Sequence, residues 1–202
     1  MAYARLPWYD RPVELRCPRC KGPLILDPGD RSDPENPIGP ALLCDPCRGD
    51  YPVRLDIPDL RLEPSPEISL EDDLALAEKL NALAPHLSFD ELVEKLYELR
   101  PPAHPKLKQA HLAHFQVEQE QAESAFGRFD PTDRGPYLDV GCGMGQYLAA
   151  FSIGGREVVG VDAALYQLVM ARTFLEEKKF RVQLVAANGE ALPFDSGKFT
   201  AA

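Results

Sequence analysis

Residues 137–148 read Tyr-Leu-Asp-Val-Gly-Cys-Gly-Met-Gly-Gln-Tyr-Leu. A short apolar run, a glycine-rich turn and the apolar start of a helix follow one another, which is typical of a nucleotide-binding α/β unit. Gly141, Gly143 and Gly145 permit positive φ angles and a close approach of the backbone to a ligand. The N-terminus of the following helix offers free N–H groups to that ligand. Such a turn is weak evidence by itself, so its neighbours decide the interpretation.

The segments after the turn continue an alternation of strand and helix. Residues 157–162 read Glu-Val-Val-Gly-Val-Asp and predict a second strand that ends in Asp162. Residues 164–178 predict a helix, and residues 180–185 predict a third strand. An acid at the tip of the second strand of such a unit accepts hydrogen bonds from ribose hydroxyls. The sequence therefore predicts an α/β fold with Asp162 in a nucleoside site.

Two classes of cofactor compete for this unit. A dinucleotide fingerprint, G-x-G-x-x-G, requires glycine at position 146, where this chain has Gln146. The spacing is G-x-G-x-G instead, and Asp139 precedes it. This pattern resembles motif I of class I S-adenosylmethionine-dependent methyltransferases. The Val-Val-Gly-Val-Asp strand resembles the ribose-binding strand of that family, and residues 187–194, Ala-Asn-Gly-Glu-Ala-Leu-Pro-Phe, resemble its adenine-bordering segment.

This resemblance covers about residues 135–202 and implies a partial Rossmann-like fold that binds S-adenosylmethionine. Asp139 and the three glycines would surround the amino acid part of the cofactor, and Asp162 would hold the ribose. Asn188 stands where the family usually has aspartate near the adenine amino group. Cys142 is interpreted as a small packing residue, not a nucleophile. The resemblance implies no catalytic residue, and its cofactor-binding set is Asp139, Gly141, Gly143, Gly145, Asp162, Ala163, Asn188 and Gly189.

Four of the five cysteines form two pairs, Cys17 with Cys20 and Cys44 with Cys47. Thirteen of the 20 prolines lie in residues 1–66, where they oppose regular helices and central strands. This segment therefore needs a metal ion or disulfide bonds to stabilise its fold. The C-x2-C spacing predicts a tetrahedral Zn²⁺ site. Four thiolates leave no open position for water, which favours a structural zinc over a catalytic one. Two disulfides are the other alternative.

The cysteine segment also carries a resemblance. Residues 17–24, 43–47 and the run Tyr-Pro-Val-Arg-Leu-Asp-Ile-Pro-Asp-Leu at 51–60 resemble a Trm112-type zinc-binding domain. The match covers about residues 13–62. The resemblance implies an activating partner of methyltransferases or a domain fused to one. We expect the segment from Asp27 to Pro40 to form a surface loop between the two cysteine pairs.

A helical connector is predicted between these parts. Apolar residues at helical spacing predict helices after Ser69, over 88–99 and over about 105–126. Ser69 with Asp72, and Ser88 with Glu91, have the spacing of capping boxes. The connector is acidic, with 15 acidic against 6 basic side chains in residues 63–133. We interpret these acids as a solvated helix face.

The chain is thus predicted as a zinc-ribbon-like domain (1–62), a helical connector (63–133) and the N-terminal half of a methyltransferase domain (134–202). The net charge of −10 disfavours non-specific binding to nucleic acid. No apolar run is long enough to span a membrane and no secretion signal is visible, so we expect a cytoplasmic protein.

Two functions follow from these patterns. One is an S-adenosylmethionine-dependent methyltransferase with an unidentified acceptor, RNA or a small molecule. We expect it to be truncated before its substrate-binding half, inactive alone and prone to self-association through the incomplete sheet edge. The alternative is a non-catalytic, zinc-stabilised adaptor that retains a methyltransferase half-domain.

Overall fold

The computed structural model describes residues 13–29, 39–100, 105–127, 132 and 134–202. The cysteine segment forms an antiparallel sheet in the order β1-β2-β3-β4. Its strands are β1 (Ile25–Asp27), β2 (Ala41–Cys44), β3 (Gly49–Arg54) and β4 (Ile57–Pro58). Strand β2 leads into the second cysteine pair. Most of the loop predicted between the cysteine pairs lies outside the described residues.

The three predicted connector helices are confirmed as α1 (Leu70–Leu83), α2 (Phe89–Leu99) and α3 (Pro105–Phe126). Ser88 and Glu91 form a complete capping box at α2. At α1 the Ser69 hydroxyl accepts from the Asp72 N–H, but the Asp72 carboxylate accepts from that hydroxyl and not from the Ser69 N–H. The side chain of aspartate is one methylene shorter than that of glutamate, which explains the half-formed box.

The C-terminal segment forms a parallel sheet in the order β5-β6-β7. Its elements are β5 (Tyr137–Val140), α4 (Gln146–Ser152), β6 (Val158–Asp162), α5 (Leu165–Glu177) and β7 (Gln183–Ala186). The third strand starts three residues later than predicted. The Phe180 N–H donates to the Leu175 carbonyl, and Lys179 has a φ of 62°, so residues 178–180 turn the chain out of α5.

Both faces of the parallel sheet are covered. One set of strand residues, Leu138, Val159, Val161 and Val185, packs in a cluster with Leu24, Leu42, Val53 and Leu60 of the cysteine segment. The alternating set, Tyr137, Val158, Leu184 and Ala186, packs with α1, α2 and α5. Because side chains alternate between the faces of a strand, the cysteine segment covers one face and the helices cover the other.

The edges of the parallel sheet are also partly paired. After β4 the chain runs beside β7, where the Leu60 N–H donates to the Ala186 carbonyl over 2.7 Å. Asp59 pairs with Ala186 in parallel register. At the other edge, the Leu138 N–H donates to the Ala201 carbonyl over 3.0 Å. The cysteine segment is therefore joined to the parallel sheet by backbone hydrogen bonds as well as by packing.

Among the residues that the structure describes, no helix combines the length and apolar character needed to cross a membrane.

Candidate functional site

The glycine turn after β5 adopts the backbone predicted for it. Gly141, Gly143 and Gly145 have φ angles of 76°, 51° and 90°, in the left-handed region that glycine tolerates best. The N–H groups of Gly141 and Cys142 both donate to the Val161 carbonyl, over 2.8 and 3.0 Å. A Cβ at position 145 would lie 3.2 Å from the Ala171 Cβ, so α5 approaches the turn closely. The turn is thereby fixed against β6 and α5.

Asp162 lies at the carboxyl end of β6, beside the glycine turn. One carboxylate oxygen accepts from the Gly143 N–H over 2.9 Å, and the other accepts from the Ala164 N–H over 2.8 Å. Burial raises the pKa of Asp162, although these two N–H groups lower it in part. Each carboxylate oxygen has a second lone pair, so the group can still accept hydrogen bonds from a ligand.

Two neighbouring clefts open at this edge of the sheet. The smaller one, about 340 Å³, brings together Gly141, Asp162, Ala163 and Gly189 of the predicted site. Ser65, Pro66 and Glu67 of the connector also line it. The larger one, about 1330 Å³, lies between the glycine turn and helices α2, α3 and α5. Both clefts are lined by Gly141, so one elongated ligand could lie across the turn.

Asp139 faces the larger cleft from within β5. Its Oδ2 atom is buried and has no hydrogen-bond partner among the described residues. Burial, with the negative charges of Asp162 and Glu118, raises the pKa of Asp139 to about 6. Buried polar atoms without partners are uncommon in native proteins. A donor or cation from a ligand would satisfy this carboxylate, which fits the amino group predicted to lie here.

Replacing Asp139 with asparagine should stabilise the ligand-free protein in a pH-dependent way. The carboxyl has a pKa of about 6 when folded against an ordinary 3.8, so ionisation opposes folding at neutral pH. We expect the unfolding free energy of Asp139→Asn to exceed that of the wild type by about 3 kcal/mol at pH 7. The difference should shrink as the pH falls from 6 to 4. Urea unfolding of the wild type and of Asp139→Asn at pH 7 and at pH 4 measures this difference. Equal stabilities of the two proteins at pH 7 would contradict the burial of the Asp139 carboxylate.

The four cysteines of the two predicted pairs form a cluster, whose sulfur atoms all lie within 4.8 Å of one another. Cys17 Sγ lies 3.5 Å from Cys47 Sγ, and Cys20 Sγ lies 3.4 Å from Cys44 Sγ. Four sulfurs at about 2.3 Å from one tetrahedral ion would be about 3.8 Å apart. The distances exceed the ~2.05 Å of a disulfide, so all four thiols are free. The donor set and spacing therefore fit Zn²⁺.

Tyr51 contacts the cysteine cluster, and the sequence pattern gave no sign of this contact. Its hydroxyl lies 3.2 Å from Cys17 Sγ. Burial raises the pKa of Cys17, but hydrogen bonds from Tyr51 and from backbone N–H groups outweigh it and lower the pKa to about 6. Burial raises the pKa of the neighbouring Cys44 to about 12. A bound cation would allow both sulfurs to ionise together.

Residues 138–202 match the family model of the methyltransferase domain. The match supports a class I methyltransferase domain here, and S-adenosylmethionine is the cofactor typical of that family. It includes the glycine turn, Asp162 and both strands that flank the smaller cleft, and it does not include the four cysteines, which precede it in the chain. No curated protein was matched by the chain.

Asn188, which lies within the matched residues, contacts the chain at residues 62–63. Its Oδ1 accepts from the N–H groups of Leu62 and Glu63 over 2.8 and 3.2 Å, and its Nδ2 donates to the Glu63 carbonyl. The amide therefore fixes the chain at residues 62–63 next to the smaller cleft, and its predicted place near the adenine stays a prediction. Cys142 is buried, and burial raises the pKa of its thiol, which agrees with a packing role.

Sequence reasoning also misplaced one acid of the connector. The sequence pattern predicts Asp73 among the solvated acids of the helix face, but only 1% of its surface is exposed. It is hydrogen-bonded to Arg61 and to the first turn of α5, which begins three residues after Asp162. Its polar neighbours lie 12 or more positions away in sequence, so helical periodicity gave no sign of them.

Proposed function

We propose that this chain binds S-adenosylmethionine across the glycine turn of its methyltransferase domain and serves methyl transfer. The observation that carries the proposal is the meeting of two clefts at Gly141. The carboxylate of Asp162 lines one cleft, and Asp139, whose Oδ2 has no hydrogen-bond partner among the described residues, lines the other. A nucleoside in the smaller cleft and an amino acid moiety in the larger one would satisfy both groups.

The residues of the site would bind and orient the cofactor. Bound S-adenosylmethionine supplies an activated methyl group, whose transfer mainly needs the acceptor held close and in line. Asp162 would accept from the ribose hydroxyls, and Asp139 would accept from the cofactor's ammonium group. Ala163 and Gly189 would border the adenine ring, while positive φ angles at the three glycines let the backbone approach. The larger cleft would admit the methyl acceptor, RNA or a small molecule.

We further propose that the cysteine cluster is a structural Zn²⁺ site of a Trm112-type module. Four thiols at tetrahedral spacing leave no coordination position for a substrate. The module also covers one face of the parallel sheet with its own apolar residues. Its role would therefore be to stabilise the methyltransferase domain from within the same chain.

Titration calorimetry with S-adenosylmethionine tests the cofactor assignment. The wild-type chain should bind one molecule, and Asp162→Ala should weaken binding at least ~10-fold, because a hydrogen bond to a charged group contributes about 1.5–3 kcal/mol. Glu190→Ala is a matched control, since this exposed carboxylate lies at the same sheet edge without lining either cleft. Equal affinity in Asp162→Ala would contradict the proposed ribose contact. Absence of binding to the wild type would favour the adaptor alternative.

A further inference from the structure

A buried ionic network joins the cysteine segment, the connector and the methyltransferase domain. Arg61, whose side chain is 3% exposed, donates through Nε and Nη2 to the two carboxylate oxygens of Asp59, both over 2.7 Å. Its Nη1 donates to Asp73 Oδ2 and, over 2.9 Å, to the Ala163 carbonyl. One guanidinium thus contacts three separate parts of the fold.

Asp73 extends the network to α5. Ala164 precedes this helix and has no side chain that could cap it. The Asp73 carboxylate, from α1, accepts from the N–H groups of Leu165 and Tyr166, both over 3.0 Å. A carboxylate in this position satisfies the free donors of the first turn and interacts favourably with the helix dipole. Arg61 and Asp73 together therefore hold the chain on both sides of Ala164.

The peptide unit between Ala163 and Ala164 is held at both of its polar groups. Its carbonyl accepts from Arg61 Nη1, and its N–H donates to Asp162 Oδ1. Because a peptide unit is planar, fixing the carbonyl direction also fixes the direction of the N–H. That N–H orients the Asp162 carboxylate, which lines the smaller cleft. Arg61 thereby influences the orientation of the Asp162 carboxylate through the planar Ala163–Ala164 peptide unit.

Arg61 remains charged in this setting. Burial would lower its pKa, but the hydrogen bonds and negative charges of Asp59 and Asp73 outweigh that effect and raise it. Its planar fork can serve the Asp59 carboxylate and the Ala163 carbonyl at once. Lysine in this position would keep the charge but would lack the fork.

We propose that Arg61 is a positioning residue of the cofactor site, which orients Asp162 toward the ribose through the Ala163–Ala164 peptide unit. The inference rests on the proposed function, since it assigns a role in binding the same nucleoside. It also gives the cysteine segment a defined link to the methyltransferase domain, because Arg61 follows the last strand of the cysteine segment by three residues.

The test compares the affinities of S-adenosylhomocysteine and its 2′-deoxy analogue. The ratio of the two dissociation constants reports the ribose contact alone, since any unfolded fraction affects both ligands equally. We expect the wild-type chain to prefer the ribose ligand by about 10-fold, the value of a hydrogen bond to a charged group. Arg61→Lys and Arg61→Gln should each reduce the preference to about 2-fold or less.

Arg54→Lys is the matched control. Arg54 lies 3.2 Å from Asp59 in the same network and makes no hydrogen bond to Ala163 among those of the described residues. The Arg54→Lys variant should keep the wild-type preference for S-adenosylhomocysteine over its 2′-deoxy analogue. A wild-type preference in either Arg61 variant would overturn the positioning role and leave Arg61 a structural residue. Failure of the wild type to bind S-adenosylhomocysteine would instead overturn the proposed function.

Discussion

Asp73→Ala is expected to lower the free energy of unfolding by about 4 kcal/mol at pH 7, because breaking a buried ion pair leaves an uncompensated charge. The substitution removes one acceptor of Arg61 and the acceptor of two N–H groups in the first turn of α5. Arg61 would keep its ion pair with Asp59 but would lose the second negative charge, that of Asp73. Urea unfolding followed by circular dichroism measures the loss.

Glu78→Ala is the matched control for that experiment. Glu78 is an exposed carboxylate on the same helix, α1, and exposed substitutions usually change stability by no more than ~0.5 kcal/mol. If Asp73→Ala cost as little as Glu78→Ala, the network would contribute little to stability. The assignment of Asp73 as the cap of α5 would then be wrong.

The double variant Cys17→Ser, Cys44→Ser should lose the bound metal and much of the stability of the chain. The wild type, purified under reducing conditions, should contain about one Zn²⁺, and the variant close to none. Binding of a structural zinc ion is coupled to folding and can contribute ~10 kcal/mol or more in small domains. The variant should also uncover one face of the parallel sheet, since residues around the cluster pack on it. We expect its Tm to fall by more than ~10 °C.

Cys142→Ser is the control for metal content, because this buried cysteine lies in the glycine turn and outside the cluster. It should retain the full metal content, whatever its effect on stability. Mass spectrometry under native conditions or atomic emission gives the ratio of metal to chain. A reduced wild-type preparation without zinc would contradict the metal assignment.

Local features of the fold could be predicted from the sequence. Ser88 and Glu91 supply the whole capping box of α2, so the start of that helix follows from four consecutive residues. The positive φ angles of the glycine turn are ones that glycine permits and other residues rarely adopt. Each C-x2-C turn likewise brings the two sulfurs of its own pair together. The approach of one pair to the other depends on the chain between them.

The links between segments could not be predicted in this way. Arg61 reaches Ala163 across 102 positions, and Asn188 reaches Leu62 across 126. Spacing within a helix shows which side chains share a face, but it does not show whether another segment covers that face. Asp73 therefore looked like its exposed neighbours. The place of Asn188 in a motif likewise does not show that its amide contacts Glu63 of the connector.

The faces of the parallel sheet illustrate the same limit. Val158 to Val161 form a continuous apolar strand, which indicates burial on both sides. The pattern does not tell which segments provide the cover. In the structure one cover comes from the cysteine segment and the other from the connector and α5.

The central claim is that one S-adenosylmethionine-type ligand lies across the glycine turn, between Asp162 and Asp139. A crystal structure of the chain with S-adenosylhomocysteine tests it most directly. The account predicts continuous density over Gly141, with the ribose hydroxyls on the Asp162 carboxylate and the amino group near the Asp139 Oδ2 that lacks a partner among the described residues. Density for the ligand in any other place, or none at saturating concentration, would contradict it.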